Sequence, residues 1–454
     1  MEDTIAAIST PVGEGGIAII RISGSHALAI ADAVFVSAKG LPSTYPSHTI
    51  HFGRITGDNQ QNLDEVLLSV MRCPRTYTTE DMVEINCHGG TQIVKSVLAQ
   101  CLRHGARLAE PGEFTKRAFL NGRIDLMQAE AVMDVITAKT ERAQAIAEHA
   151  LEGHLSHKVE KIRQQLIGIL AHIEAHIDFP EEDISPATRV ELETDAAVVI
   201  AALEKLLTTA SEGKILRNGI SIAIYGRPNV GKSSLMNALL GEERSIVTSV
   251  PGTTRDSIEE SANIRGIPVR FTDTAGIRTP RGKVEKHGID RSHNILHKSD
   301  IGIHIIDLSK PLSVADIELL KSFAGKCVIL ALNKVDLPRK LILPSELQST
   351  NPVEISALTG QGIEDLKDRV EHTVLKISAT ALASEVVINE RHADLLRRSI
   401  KELKTALNDM QSNASVEVVA QQLRIGLAVI GEIVGKTTTE DLLDRIFSKF
   451  CIGK

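Results

Sequence analysis

The chain has 454 residues, enough for about three domains of typical size. Apolar residues make up 43% and charged residues 24%, which is the balance of an ordinary globular protein, so long disordered stretches are not expected. The formal net charge of −7 argues against a protein that coats nucleic acid with a basic surface, although it does not exclude a local basic patch.

The sequence favours a cytoplasmic protein without a membrane span. No run approaches about 18 uninterrupted apolar residues, and Met1-Glu2-Asp3 lacks the basic start of a signal peptide. The five cysteines are odd in number and scattered, which argues against a disulfide framework. Four of them lack metal-ligand spacing and are predicted to be buried thiols: Cys73, Cys87, Cys101 and Cys327.

The first part of the chain divides into a mixed segment and a helical one. Residues 1–118 contain β-rich runs at 16–22 and 81–86 and a helical run at 93–98, which together predict an α+β domain. From 119 to 215 the periodicity is helical. One apolar stripe there recurs at steps of three and four: Val159, Ile162, Leu166, Ile169 and Ile173.

The second part begins with an α/β segment. Residues 216–378 alternate apolar strands with helices, which is typical of a parallel sheet. Helical periodicity returns in 379–454. The helices on the two sides are expected to pack as one bundle around the inserted α/β domain, and two separate helical modules are the alternative. The predicted strands are 220–225, 269–272, 301–307, 328–333 and 353–355.

A phosphate-binding motif follows the first of these strands. Gly226-Arg227-Pro228-Asn229-Val230-Gly231-Lys232-Ser233 matches G-x-x-x-x-G-K-[ST], and a predicted helix begins at Ser234. The glycines let backbone N–H groups and the helix N-terminus face an anion. Lys232 would neutralise the β- and γ-phosphates, and the Ser233 hydroxyl would ligate Mg²⁺. The motif predicts a nucleoside triphosphate site.

Three later motifs identify the base as guanine. Asp273-Thr274-Ala275-Gly276 follows a strand, so its aspartate can hold Mg²⁺ through water and its glycine N–H can reach the γ-phosphate. Asn333-Lys334-Val335-Asp336 ends another strand, and its final carboxylate can accept two guanine N–H bonds that adenine does not offer. Ser356-Ala357-Leu358 can supply a backbone N–H to the guanine oxygen. Four motifs in this order predict a guanine-nucleotide hydrolase.

The segment between the first two motifs predicts a switch. It reads Ser249-Val250-Pro251-Gly252-Thr253-Thr254, and either threonine can complete the Mg²⁺ sphere and report the γ-phosphate. Ile277 stands where Ras-like enzymes carry a water-orienting Gln, and an apolar side chain cannot orient water. Three later residues are candidates for that role, or else solvated loop charges: Arg278, Arg281 and Glu285.

The whole chain resembles the bacterial and organellar MnmE (TrmE) family of tRNA-modifying GTPases. The resemblance spans essentially the full length and is carried by the GTPase motifs and by residues 4–11, 15–24, 88–90, 111–122 and 450–454. It implies a multidomain α/β protein. An N-terminal α+β domain would dimerise and bind a 5-formyl-tetrahydrofolate-type donor, and a Ras-like P-loop GTPase domain would interrupt a helical bundle built from two chain segments.

The resemblance also implies the chemistry. With an FAD-dependent partner, MnmG (GidA), the family adds an aminomethyl-type group, carboxymethylaminomethyl, to C5 of the wobble uridine of certain tRNAs. A homodimer and a heterotetramer with the partner are expected. The implied folate contacts are Arg21, Glu84, Arg123 and Lys454, and Arg123 stands where a Lys is also seen. The terminal Cys-Ile-Gly-Lys is expected to reach the folate pocket of the dimer partner.

The resemblance further assigns ions and catalytic groups. It places Mg²⁺ on Ser233 and Thr254, and it gives the water-orienting role to Glu285, with K⁺ in place of an arginine finger. The implied K⁺ ligands are Asn229, Thr248, Val250 and Thr253. Cys451 is either a nucleophile near the folate or an apolar residue that docks the tail.

Two other functions compete with this interpretation. A ribosome-assembly GTPase shares the G-x-P-N-V-G-K-S loop and often the K⁺-type loop, so the GTPase domain alone does not separate the classes. Residues 1–118 and the terminal Cys-Ile-Gly-Lys are the features that such proteins lack. A regulatory switch without modification chemistry is the second alternative, and folate binding to residues 1–118 would exclude it.

Overall fold

The computed structural model describes residues 3–11, 13–57, 61–178, 186–241, 260–271, 299–321, 327–377, 386–412 and 414–454. The chain forms two compact units. The first comprises Met1–Met133, Ser156–Arg163 and Ala428–Lys454, and the second comprises Asp134–Leu155 and Gln164–Leu427. Each unit is organised around its own β-sheet.

A seven-stranded sheet forms the centre of the first unit, in the order β3-β4-β5-β6-β2-β1-β7. Neighbouring strands are antiparallel except for β1 and β7, which are parallel. The predicted strands at 16–22 and 81–86 correspond to β2 and β6. The strands are β1 (Ile5–Ile8), β2 (Gly15–Ser23), β3 (Phe35–Val36), β4 (Thr49–Thr56), β5 (Asn62–Met71), β6 (Met82–Gly89) and β7 (Arg107–Leu108).

Helices cover the sheet because successive residues of a strand point to opposite faces. On β1, Ala6 joins the core formed with the first two helices, whereas Ile5 and Ala7 pack with Phe114 on the other face. The predicted helix at 93–98 lies within α2. The helices of this region are α1 (Ala27–Val34), α2 (Thr91–Arg103), α3 (Glu113–Leu120) and α4 (Leu126–Thr137).

Long helices follow, as the periodicity predicts. All five residues of the apolar stripe from Val159 to Ile173 are buried. The chain then enters the second sheet through a short helix that ends at Asn218. These helices are α5 (Glu141–Leu151), α6 (His154–Asp178), α7 (Pro186–Thr208) and α8 (Ala210–Asn218).

A six-stranded sheet forms the centre of the second unit, in the order β13-β12-β11-β8-β10-β9, parallel except for β9. The strands are β8 (Ile220–Tyr225), β9 (Glu260–Ile264), β10 (Ile267–Phe271), β11 (Ile301–Asp307), β12 (Cys327–Asn333) and β13 (Val353–Ile355). The predicted bounds of β8, β11 and β13 match the observed strands residue for residue. Strand β12 begins at Cys327, one residue before its predicted start. Strand β10 begins at Ile267, before the predicted 269, and Thr272 lies outside the described residues.

Both faces of the central strands are covered, which explains why β8 and β11 are largely apolar. Every residue of β11 is buried. Ile303 and Ile305 share a core with α9 and α12, whereas Ile306 packs with Leu332 in a second cluster. The helices of this region are α9 (Lys232–Leu240), α10 (Val314–Lys321), α11 (Ser345–Gln348) and α12 (Ile363–Ile377).

The helices on the two sides of this sheet pack together. Helix α13 (Glu390–Gln411) contacts α7, and Lys404 pairs with Glu204 across them at 2.7 Å. Helix α14 (Val416–Val434) carries Arg424, which pairs with Glu174 of α6 at 2.8 Å. These contacts confirm the single bundle, and the alternative of separate helical modules is wrong. Helix α15 (Glu440–Phe447) precedes the C-terminal tail.

Candidate functional site

The phosphate-binding motif forms the turn between β8 and α9. Gly231 caps the helix with a φ of 105°, and a Cβ at that position would overlap the side-chain amide of Asn333. Only glycine fits there, because both the backbone conformation and the space exclude a side chain. Val230 is buried in the core and anchors the loop, and α9 begins at Lys232, directly after the loop, so its N-terminal end is placed to favour an anion.

Lys232 places a cation over this loop. Its Nζ donates to the carbonyl oxygens of Gly226 at 2.9 Å and Arg227 at 2.8 Å. Burial lowers the pKa of Lys232, because the charged form loses hydration. Ser233 and Ser234 follow on the exposed side of the same turn. An anion with several oxygens would suit this set of donors.

The motifs that follow β12 and β13 meet the same loop. The Asn333 side chain donates to the carbonyl of Val230 at 2.7 Å and accepts from the Ala357 N–H at 2.9 Å. Lys334 Nζ donates to the Asn229 carbonyl at 3.0 Å and to Asp307 at 2.7 Å. The carboxyl ends of β8, β11, β12 and β13 therefore meet at one edge, where parallel sheets bind ligands.

The base-recognition residues differ in exposure. Asp336 and Leu358 are exposed, and Ser356 is fully buried. Ser356 donates its backbone N–H to the carbonyl of Gln361, which fixes the turn after β13. The remaining predicted nucleotide and ion residues lie outside the described residues: Thr248, Ser249, Val250, Pro251, Gly252, Thr253, Thr254, Asp273, Thr274, Ala275, Gly276 and Glu285.

A second charged cluster lies on the sheet of the first unit. Arg21 of β2 stands directly opposite Glu84 of β6 in the antiparallel register. Its Nε donates to Glu84 Oε1 at 2.8 Å, and the side chains are 15% and 22% exposed. Cross-strand neighbours are close enough to pair, so the sheet register holds two of the predicted folate residues together.

The C-terminal tail joins this cluster in the same chain. The carbonyl of Gly453 accepts from Arg21 NH1 and from Ser9 Oγ, both at 3.1 Å. Burial and the nearby charge of Arg21 lower the pKa of Lys454. The resemblance implied a tail that reaches the dimer partner. Within this chain the tail lies against Ser9, directly after β1, and against Arg21 of β2, and Ile452 forms a bridge with Pro111. Its contact with a dimer partner stays a prediction.

Arg123 reaches the cluster through a residue that the sequence analysis missed. Its NH1 donates to the Tyr77 carbonyl at 2.8 Å, and its guanidinium carbon lies 4.7 Å from the Tyr77 ring centroid. The Arg21 guanidinium carbon lies 5.7 Å from the same centroid. Arg21, Glu84, Arg123 and the tail are thus brought together.

The motif at 111–122 is a structural support for this region. Arg117 is 1% exposed and forms ion pairs with Asp3 at 2.9 Å, Glu80 at 3.1 Å and Glu113 at 3.1 Å. A buried arginine needs such partners. The four-residue spacing of Glu113 and Arg117 on a helix was the available signal, but nothing in the sequence shows that Asp3 and Glu80 complete the network.

The cysteine prediction is wrong for two residues. Cys87 and Cys101 are buried, and burial raises their pKa values to about 11 and about 12. Cys73 and Cys327 are exposed, because Cys73 lies in the connection after β5 and Cys327 is the first residue of β12. Cys451 is also an exposed free thiol, whereas the neighbouring Phe450 is buried.

Across the described ranges, no helix combines the length and apolar character needed to cross a membrane. The same ranges hold no group of three or more His, Cys, Asp or Glu side chains placed to bind a metal ion.

Two family models match the chain. One, described as the GTP-binding protein TrmE N-terminus, matches residues 4–123. The other, described as the MnmE helical domain, matches residues 126–451.

Curated relatives match over the whole length. The sequence is 47% identical over 458 residues to the tRNA modification GTPase MnmE of Bacillus licheniformis, and 46% identical over 458 residues to that of Bacillus subtilis. Each alignment covers 100% of both chains. The solved FeoB G-domain from Methanococcus jannaschii matches with 26% identity over 34% of this chain and 97% of its own, at a TM-score of 0.25.

Proposed function

This chain belongs to the MnmE family of tRNA modification GTPases, and on that premise we propose that it couples GTP hydrolysis to folate-dependent modification of tRNA. The modification is the addition of a carboxymethylaminomethyl-type group at C5 of the wobble uridine in certain tRNAs. The observation that carries the proposal is the presence, in one chain, of the phosphate-binding loop at Lys232 and the Arg21–Glu84 cluster seated against the tail.

The phosphate-binding loop supports the nucleotide half of the proposal. Lys232 would exchange its carbonyl partners for phosphate oxygens, and the phosphate charge would offset the cost of burying its ammonium. The exposed position of Ser233 on the first turn of α9 fits a hydroxyl ligand of Mg²⁺, with Thr254 as the second ligand and Asp273 holding the ion through water. Bound Mg²⁺ would neutralise phosphate charge. The exposed carboxylate of Asp336 would accept the guanine N–H bonds.

Hydrolysis is proposed to need K⁺ and Glu285. Asn229 is exposed on the loop with a φ of 63°, so its neutral side-chain carbonyl is available to a large monovalent cation. Thr248, Val250 and Thr253 would supply the other oxygens. Bound K⁺ would place positive charge where the transition state develops negative charge. Glu285 would orient the attacking water, which Ile277 cannot do.

The cation requirement gives a direct prediction. Replacing K⁺ by Na⁺ at constant ionic strength should lower GTP turnover by at least about tenfold, because electrostatic stabilisation of the transition state is lost. Asn229→Ala should bind GTP but show a flattened dependence on the cation. Equal GTP turnover of the unaltered protein in K⁺ and Na⁺ would refute the role of K⁺. Arg278 or Arg281 would then be the candidate source of the positive charge.

The cluster on the first sheet supports the folate half. Arg21, Arg123 and Lys454 supply positive charge for carboxylates, and Glu84 supplies an acceptor for ring N–H groups, which is the donor set that a 5-formyl-tetrahydrofolate-type molecule requires. The folate would supply the one-carbon unit. Cys451 is proposed as a reactive thiol, since its exposure argues against the docking alternative and the buried Phe450 anchors the tail instead.

The same sheet presents an apolar face that supports a homodimer. Ile50 and Phe52 of β4 are 65% and 64% exposed, and Leu67 of β5, directly opposite Phe52, is 46% exposed. A second copy of this chain is the proposed occupant. With the FAD-dependent MnmG (GidA) protein, the dimer would form a heterotetramer that acts on tRNA in the cytoplasm.

Two matched variants of the full chain test the proposal. Arg21→Ala should lose binding of 5-formyltetrahydrofolate, measured by titration calorimetry, while GTP hydrolysis continues. Lys232→Ala should lose GTP hydrolysis while folate binding continues, because the two residues lie in different units. A wild-type protein that hydrolyses GTP without binding the folate would leave only a regulatory or ribosome-assembly GTPase.

A further inference from the structure

Tyr77 lies between two arginines of the folate site proposed above. It belongs to the connection between β5 and β6, and both guanidinium carbons fall within 6 Å of its ring centroid, at 4.7 Å for Arg123 and 5.7 Å for Arg21. The Tyr77 carbonyl also accepts the hydrogen bond from Arg123. One residue therefore contacts both cations, through its ring and through its backbone.

Three sets of contacts fix the position of Tyr77. Its hydroxyl bonds to Oγ1 of Thr115, a buried residue of α3, at 2.9 Å. Its ring packs against the apolar cluster that includes Phe114. The next residue, Thr78, is buried, bonds to Ser23 at 2.6 Å, and accepts a hydrogen bond from the Asn121 side chain at 2.7 Å. The ring thus has little freedom to move.

The two arginines differ in how their charge is balanced. Arg21 is paired with Glu84. Within the described part of the chain, no carboxylate lies within ion-pair distance of Arg123, whose hydrogen bond and ring contact both go to Tyr77. An aromatic face attracts a cation without neutralising it. Tyr77 can therefore fix the Arg123 guanidinium in place and leave its charge to an anionic ligand.

We propose that Tyr77 is a positioning residue of the folate site, which holds the Arg21 and Arg123 guanidinium groups on one rigid aromatic ring for the carboxylates of a folate-class ligand. The inference rests on the proposed folate function. Long arginine side chains lose rotamer freedom when they bind. A ring that orders them beforehand reduces that loss, so it strengthens ligand binding without contacting the ligand.

The test varies the ring while its size is kept. Phenylalanine and mono-, di- and trifluorophenylalanine at position 77 reduce the negative charge on the ring face step by step. Calorimetric titration of the full chain with 5-formyltetrahydrofolate should show an affinity within about threefold of wild type for Tyr77→Phe, and a stepwise loss with each fluorine. Tyr77→Leu should weaken binding about tenfold or more.

Matched controls distinguish a role of Tyr77 in positioning the arginines from a role in packing the domain. Tyr45→Phe removes a buried tyrosine hydroxyl in the same sheet domain, where the ring stacks on His51, and should leave folate affinity unchanged. The dependence on fluorine should shrink in an Arg123→Ala background. GTP turnover, which belongs to the other unit, should be constant throughout.

The possible results separate the positioning role of Tyr77 from the proposed folate function on which it rests. Equal affinity across the fluorine series would overturn the positioning role, while wild-type binding would preserve the folate function. Absence of folate binding by the wild-type chain would overturn both. Should Tyr77→Leu fail to fold, the fluorinated series still decides, because it preserves the shape of the ring.

Discussion

Among the single residues, Gly453 contributes its backbone to the charged cluster around Arg21. Its φ is 93°, and a Cβ there would lie 2.5 Å from the Ile8 carbonyl oxygen and 2.8 Å from the Ser9 Cα. These neighbours are backbone atoms at the end of β1 and directly after it, and they cannot move aside without moving the strand. Glycine is therefore the residue that allows the tail to approach and present its carbonyl to Arg21.

Gly453→Ala should weaken binding of 5-formyltetrahydrofolate by roughly tenfold, because the tail must shift and the Arg21 guanidinium loses an acceptor. GTP turnover, which belongs to the second unit, should stay unchanged. Titration calorimetry beside a GTPase assay measures both effects.

Gly105→Ala is the matched control, since Gly105 also has a positive φ, 108°, but meets nothing within 4 Å. It should carry the same backbone strain and retain folate affinity. Equal affinities in the two variants would remove the tail from the site.

At the scale of elements, β11 carries a buried histidine. His304 is fully buried, and neither ring nitrogen has a hydrogen-bond partner within the described ranges. It packs edge-on against Tyr225 of β8, with ring centroids 4.7 Å apart. Burial lowers the pKa of His304 to about 4, and the charge of Asp316 opposes the shift only in part.

A histidine whose pKa is lower in the folded state than in the unfolded state makes stability fall with acidification. The unfolded chain takes up the proton below about pH 6.5, and the folded protein does so only near pH 4, so the cost accumulates between these values. From pH 7 to pH 5 this residue should remove about 2 kcal/mol of unfolding free energy.

His304→Leu should abolish that part of the pH dependence. It should also leave stability at pH 7 equal or higher, because an unpaired buried polar group is removed. Calorimetric melts at pH 7 and pH 5 provide the measurement, with exposed His172→Gln as the control. If wild type and His304→Leu lost the same stability on acidification, His304 would not be the group that titrates.

The elements differ in how far the sequence predicts them. Strands β8, β11 and β13 were predicted to the residue. Strands β8 and β11 are largely apolar and buried along their whole length, whereas β13 is short, with Glu354 exposed between buried Val353 and Ile355. Strand β9, a short antiparallel edge strand, has no such signature and was missed. Arg21 and Glu84 were identified only through the family resemblance, because cross-strand register depends on residues far apart in the chain.

Contacts across long sequence distances account for the other differences. Tyr77 and Arg117 gain their roles from partners between 37 and 114 residues away. The tail gains its contacts with Ser9 and Arg21 of its own chain across 444 and 432 residues of sequence. Residue type and local spacing carry no information about such pairings.

At the scale of the whole molecule, two chemically different sites lie in two compact units of one chain. The phosphate-binding loop follows from a continuous motif, whereas the charged cluster is assembled from β2, β6 and the tail. A GTPase that acted only as a switch would need the first site alone. Modification of tRNA by this chain is expected to require both sites.

Nucleoside analysis of tRNA by mass spectrometry tests whether both sites are required. Cells that lack this protein should lose the C5-modified wobble uridine, and expression of the wild-type chain should restore it. Arg21→Ala and Lys232→Ala, expressed at equal levels, should each fail to restore it. Intact modification in cells without the protein would exclude this function, and restoration by either variant would show that its site is dispensable.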